Sequence, residues 1–88
     1  MRKSEIEIVN RLGLHARAAA KFIQTAGRFP CDIEVSRGEK KINGKSIMGV
    51  MMLAAAQGAV IEITVNGPEE DAALDALVVL VADGFGET

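Results

Sequence analysis

The chain has 88 residues, 49% of them hydrophobic, with a formal net charge of −2. That length supports one small core, so a single domain over residues 1–88 is expected, with no deep cleft between domains. Cys31 stands alone, no apolar leader opens the sequence, and the nearly apolar run Ile47 to Ile61 is broken at Gln57 and Gly58, which argues against a disulfide framework, secretion or a membrane span and for a soluble cytoplasmic protein.

In chain order, Glu5-Ile6-Glu7-Ile8 alternates with period two and predicts a strand with one buried face. Asn10 to Gly13 reads as a loop. From Ala16 the period lengthens: Ala19, Phe22, Ile23 and Ala26 share one helical face, Arg17, Lys21, Gln24, Thr25 and Arg28 the other, and Gly27 and Pro30 supply the stop. Cys31 to Val35 predicts a second strand, Arg37-Gly38 a turn, and Lys40 to Asn43 a short third strand ending at the turn signal Asn43-Gly44. Ser46 can cap a short helix running through Leu53 or slightly beyond, which Gln57-Gly58 would end. Val60 to Val65 is the clearest strand, with Ile61, Ile63 and Val65 on one face. After the turn at Asn66-Gly67-Pro68, a last helix places Glu69, Glu70 and Asp71 at its positive end, buries Ala73, Leu77, Leu80 and Val81, and stops at Gly84. The order β-α-β-β-α-β-α suggests an α+β sheet covered on one side by helices.

Charge is unevenly spread along the chain. Residues 1–45 hold all ten basic residues and five acidic ones, a balance of +5, while residues 46–88 hold seven acidic residues and no basic one. This polarity predicts one basic and one acidic surface. Nucleic acid is a weak partner for such a chain, because Phe22, Phe29 and Phe85 are its only aromatics and no Trp or Tyr is available for base stacking.

His15, the only histidine, falls at the N-cap of the first helix. The first amides of a helix lack intrahelical partners, and the aligned peptide dipoles put about half a positive charge there. An imidazole at that end can accept a phosphoryl group as a nucleophile, with the new negative charge lying beside free amides and the cation Arg17. The ordinary alternative is a partly exposed capping residue. One His and one distant Cys make no metal-ligand set, so no metal is expected. On the short helix, Ile47, Met48, Met51 and Met52 lie nearly all round; they either fill the core or form an adaptable docking patch beside His15 and Ser46, framed by Arg17, Lys21, Lys40, Lys41 and Lys45.

The run Gly13-Leu14-His15-Ala16-Arg17 resembles the Gly-Leu-His-x-Arg-Pro signature of the HPr phosphocarrier family of the bacterial phosphotransferase system. Asn43 to Met51 resembles that family's regulatory-serine region, and the strand, turn and acidic helix from Val60 onward follow in the family's order. The resemblance covers nearly the whole chain. It implies an open-faced β-sandwich, a four-stranded antiparallel sheet covered on one side by three helices. It further implies that His15 takes a phosphoryl group on Nδ1 from phosphorylated enzyme I and passes it to an enzyme IIA component, with Arg17 steadying the group. Ser46 corresponds to the serine that a dedicated ATP-dependent kinase/phosphorylase modifies in many bacteria. Partners would dock over Ala16, Ala20, Ile47, Met48 and Met51. A monomeric phosphoryl shuttle is implied, with no cofactor, no membrane and no nucleic acid, and not a stand-alone catalyst. The signature proline is Ala18 here, which adds an amide donor and removes a locked φ angle. A regulatory binding module of the same fold, acting mainly through the Ser46 face, is the alternative, and the pairing of His15 with Arg17 argues against it.

Overall fold

The computed structural model describes residues 1–87. Four strands, β1 (Arg2–Glu7), β2 (Asp32–Arg37), β3 (Lys40–Asn43) and β4 (Val60–Asn66), form one sheet in the order β1-β4-β2-β3. Every neighbouring pair is antiparallel. The register sets Ile6 against Ile61, Val35 against Ile63, and Val35 against Ile42. Period-two alternation therefore gathers the apolar side chains on one face. On that face lie α1 (Ala16–Ala26), α2 (Ile47–Met52) and α3 (Glu70–Ala82). α3 covers β1 and β4, α2 meets β3, and α1 packs on both other helices. The result is the open-faced, four-stranded antiparallel sandwich with three helices expected from the sequence.

The helical periods agree with the sequence, with local exceptions. α1 buries Ala18, Ala19, Phe22 and Ala26, and the amide of Gly27 closes it on Ile23 O at 2.8 Å. Phe22, Ile61, Ile63 and Leu77 are fully enclosed, each worth about 1.5–3 kcal/mol relative to exposure. In α3 the buried stripe is Ala73, Leu74, Leu77 and Val81. Leu80, expected in the core, is only partly buried; the stripe centred on Leu77 leans towards Leu74 and Val81 and leaves Leu80 at the rim near Thr25 and Arg28.

Two further expectations are corrected. α2 ends at Met52 with Leu53 as its cap, within a residue of the expected end, but the stop is Ala54, in a left-handed conformation with φ 50°, and not Gln57-Gly58. Its last carbonyls are met by cations from the β2–β3 hairpin: Arg37 donates to Leu53 O at 3.1 Å and Lys40 Nζ to Met52 O at 3.2 Å. These contacts satisfy orphan acceptors at the negative end of the helix. Nor do the basic and acidic halves of the sequence become two surfaces. The sheet's open face carries both signs, Lys3 and Lys41 standing on it with Glu5, Glu34 and Glu62. Strand alternation thus turns Lys41 away from the helix-covered face, so it does not frame an α2 patch.

Candidate functional site

The site is built by the turn that feeds α1. Asn10 is buried, its amide donates to Gly13 O at 2.8 Å, and Gly13 N returns a bond to Asn10 O at 3.2 Å. Gly13 has φ +66°, and a Cβ there would stand 2.4 Å from Ala55 O. Only glycine permits that approach. The close packing lets Leu14 N donate to Ala55 O at 2.9 Å, which ties the entry of α1 to the segment leaving α2.

His15 follows with extended backbone, φ −73° and ψ 176°, as the N-cap of α1. Its carbonyl accepts from Ala19 N at 2.8 Å, but its side chain caps nothing. The amides of Ala16, Arg17 and Ala18 consequently have no intrahelical or capping partner, and they point out of the positive end of an 11-residue helix. Ala18, standing where the signature has proline, is fully buried and the helix starts without a break.

The imidazole is 28% exposed, and its Nε2 is bonded to Oε2 of Glu87. Oε1 of the same carboxylate accepts from Asn10 Nδ2 at 3.0 Å. The Asn10 amide, then the His15 ring, hold the Glu87 carboxyl below the usual carboxylate range. A shallow cleft around the ring is lined by Arg11, Leu12, Ala16, Arg17 and Glu87. Among the described residues neither Arg11 nor Arg17 forms an ion pair. The cleft thus offers an oriented imidazole, free amides and two unpaired guanidinium groups, a combination suited to a small anion.

Other expected positions lie on neighbouring elements. Ser46 caps α2, its Oγ accepting from Gly49 N at 3.1 Å. Met48 is 68% and Met51 41% exposed; Ile47 and Met52 are exposed as well, so these side chains do not fill the core. Ala16 is exposed and Ala20 half-buried on α1. His15, Ala16 and Arg17 share the cleft, while Ala20, Ser46, Ile47, Met48 and Met51 stand outside it. Four residues of the site were not identified from the sequence: Asn10, Arg11, Leu12 and Glu87. The one available signal was Phe85 between two glycines, an apolar residue after a helix stop, which is buried and anchors the segment carrying Glu87. Among the described residues there is no cluster of metal-ligating side chains, and no helix is long and apolar enough to cross a membrane.

Comparison with known proteins bears on this site directly. The family model described as the PTS HPr component phosphorylation site matches residues 2–83. The phosphocarrier protein HPr of Neisseria meningitidis is 53% identical over 87 residues, covering 99% of this chain and 98% of the relative. A crystal structure of HPr from Thermoanaerobacter tengcongensis superposes with a TM-score of 0.96 at 48% identity, covering 100% of this chain and 99% of that one. A dimeric crystal form of HPr from the same organism has a TM-score of 0.79, with 99% and 100% coverage.

Proposed function

Because this chain belongs to the HPr family of phosphocarriers, we propose that His15 is the residue on which it carries the phosphoryl group. The observation that carries this assignment is the N-cap geometry: the imidazole leaves the first amides of α1 unsatisfied, in a cleft with Arg11 and Arg17. A phosphoryl group on the ring would find donors already aimed at its oxygens, at the positive end of a helix. Arg17 would steady the group with its planar fork of donors.

The family role implies phosphotransferase-system partners, with enzyme I supplying the group and an enzyme IIA component receiving it. We assign their docking to Ala16, Ala20, Ile47, Met48 and Met51, since exposed methionines adapt to more than one partner surface. Ser46 is the position at which a dedicated kinase/phosphorylase would regulate docking: a phosphate adds about −1.5 to −2 charges beside Lys45, at a face meant for acidic partners. The protein would work as a cytoplasmic monomer and a single domain, delivering one phosphoryl group per encounter.

The test is incubation with phosphoenolpyruvate, Mg²⁺ and enzyme I, followed by intact mass and by transfer to an enzyme IIA component. The parent should gain one phosphoryl group, labile in acid and stable in base, and lose it to the acceptor. His15→Ala should gain none. A phosphorylated His15→Ala protein would place the carrier residue elsewhere.

A further inference from the structure

We propose that Arg11 is a second phosphoryl-binding residue: with Arg17 it holds the oxygens of the group carried on His15, so that two guanidinium ions, and not one, oppose the incoming charge. The inference rests on His15 being the carrier and adds a residue that lies outside the run Gly13 to Arg17.

The chain's ten cations are divided between the fold and the cleft. Arg2 pairs with Asp71, and Arg28 lies over the ring of Phe29. Lys21, Arg37, Lys40 and Lys45 each donate to a backbone carbonyl. Lys3 and Lys41 stand on the open face of the sheet, away from the helices. Arg11 and Arg17 remain. Both are exposed, neither forms an ion pair among the described residues, and both line the cleft around His15. Glu87, the carboxylate in that cleft, does not engage them: Asn10, His15 and Lys21 are what hold its carboxyl below the usual range.

The backbone fixes where Arg11 stands. Gly13 N donates to Asn10 O at 3.2 Å, closing a turn in which Arg11 and Leu12 are the two central residues. One end of the turn is the buried Asn10, whose amide donates to Gly13 O at 2.8 Å; the other is Gly13, too close to Ala55 O for any side chain. The chain leading in is tied as well, Gly58 N donating to Ile8 O at 2.7 Å and Gln57 Nε2 to Val9 O at 3.1 Å. With its root already ordered, Arg11 loses only side-chain rotamer freedom when the guanidinium closes on a ligand.

In uptake a ring nitrogen of His15 forms the N–P bond while the donor–phosphorus bond breaks and its electron pair leaves with the donor. A phosphoryl group brings about −1.5 to −2 charges near neutral pH, and the two guanidinium ions supply the matching positive ones. Neither exchanges a proton, since an arginine side chain stays protonated up to about pH 12. Arg11 therefore acts through charge and through a planar fork of donors suited to phosphoryl oxygens, beside the amides of the first turn of α1.

The experiment uses the full chain as the parent, Arg11→Ala, Arg11→Lys and, for a remote cation, Lys41→Ala. Each is phosphorylated to completion with enzyme I and phosphoenolpyruvate, enzyme I is removed, and ³¹P NMR follows the phosphoimidazole signal as pH is varied. A nearby cation favours the more negative form of the phosphoryl group, so the titration midpoint should rise by about half a pH unit in Arg11→Ala and by less in Arg11→Lys. It should stay at the parent value in Lys41→Ala. Uptake should slow about fivefold in Arg11→Ala, the upper end for an exposed charged pair, with the melting temperature unchanged because Arg11 is exposed. No partner is present during the titration, so an arginine that only attracted acidic partners would leave the midpoint where it is. A midpoint in Arg11→Ala equal to the parent's, or an equal rise in Lys41→Ala, overturns the proposal, whatever the uptake rate does. A parent that gains no phosphoryl group on His15 defeats the carrier assignment instead.

Discussion

The protein starts two adjacent helices in two different ways. At α2, Ser46 uses its hydroxyl as an ordinary cap and accepts the amide of Gly49. At α1, the equivalent position holds His15, whose side chain turns to Glu87 and leaves the first amides open. The first arrangement contributes stability, about 1 kcal/mol for a serine cap. The second forgoes that contribution and keeps a set of donors for an anion. Helix starts are chemically alike until a side chain occupies them, so what the cap does with its polar atoms decides whether the end is structural or reactive.

The largest effect should come from disturbing the turn that aims His15. Gly13→Ala would need a positive φ and would bring Cβ to 2.4 Å from Ala55 O, a backbone contact that can be relieved only by moving the segment that follows α2. A loss of at least about 2 kcal/mol in denaturant unfolding is expected, combining left-handed strain with displaced packing. Phosphoryl uptake should fall as well. If uptake stayed intact while stability dropped, His15 would not depend on this turn for its orientation.

Next in size is the guanidinium. Arg17→Ala should slow phosphoryl transfer by about tenfold, on the scale of one charge-assisted hydrogen bond, with the melting temperature unchanged because Arg17 is exposed. Lys21→Ala should instead lower stability, since Lys21 is occupied by Phe85 O. Equal, small kinetic effects from the two would remove Arg17 from the cleft. This pair of variants sharpens the contrast between a free cation and one used by the fold.

The sequence told more about the elements than about the contacts between distant parts. Period-two and helical patterns located all four strands and three helices, because each element buries one regular stripe. His15 and Ser46 were recognisable as caps from their neighbours alone. The Ala54 break was not, since an alanine with φ 50° carries no compositional mark and depends on tertiary contacts such as Arg37 on the carbonyls that precede and include it. Nor was Glu87: no local pattern encodes a contact across 72 residues, and the buried Asn10 that joins the two ends reads in sequence as a plain loop residue. The charge halves misled for a related reason. β4, from the acidic half, pairs between β1 and β2, from the basic half, so charge segregated along the chain becomes mixed in space.

Smaller effects test the α2 side. Met48→Asp and Met51→Asp should each reduce transfer severalfold and keep a cooperative thermal transition, as both side chains are exposed. Loss of that transition would make them structural. Ser46→Ala should keep transfer and lose up to about 1 kcal/mol with the cap. Ser46→Asp should slow uptake from enzyme I while leaving the melting temperature unchanged or raised, because a negative charge suits the positive end of α2.

The smallest effect expected is on pH dependence. Glu87 has a folded-state pKa below its unfolded value, so its contribution to stability is present above the unfolded pKa and lost as pH falls through the folded one. The parent should therefore melt slightly above Glu87→Gln at neutral pH, and the two should converge on acidification. A difference that persists in acid would trace to packing and not to the carboxylate's charge.

The central claim, that the open helix end at His15 takes the phosphoryl group from enzyme I while the capped one at Ser46 does not, is tested most directly by ³¹P NMR of the protein after phosphorylation by enzyme I and phosphoenolpyruvate. The account predicts a single acid-labile phosphoimidazole signal, substituted at Nδ1, that is absent from His15→Ala and retained in Ser46→Ala. A signal that survives in His15→Ala, or an acid-stable phosphoester lost in Ser46→Ala, would contradict it.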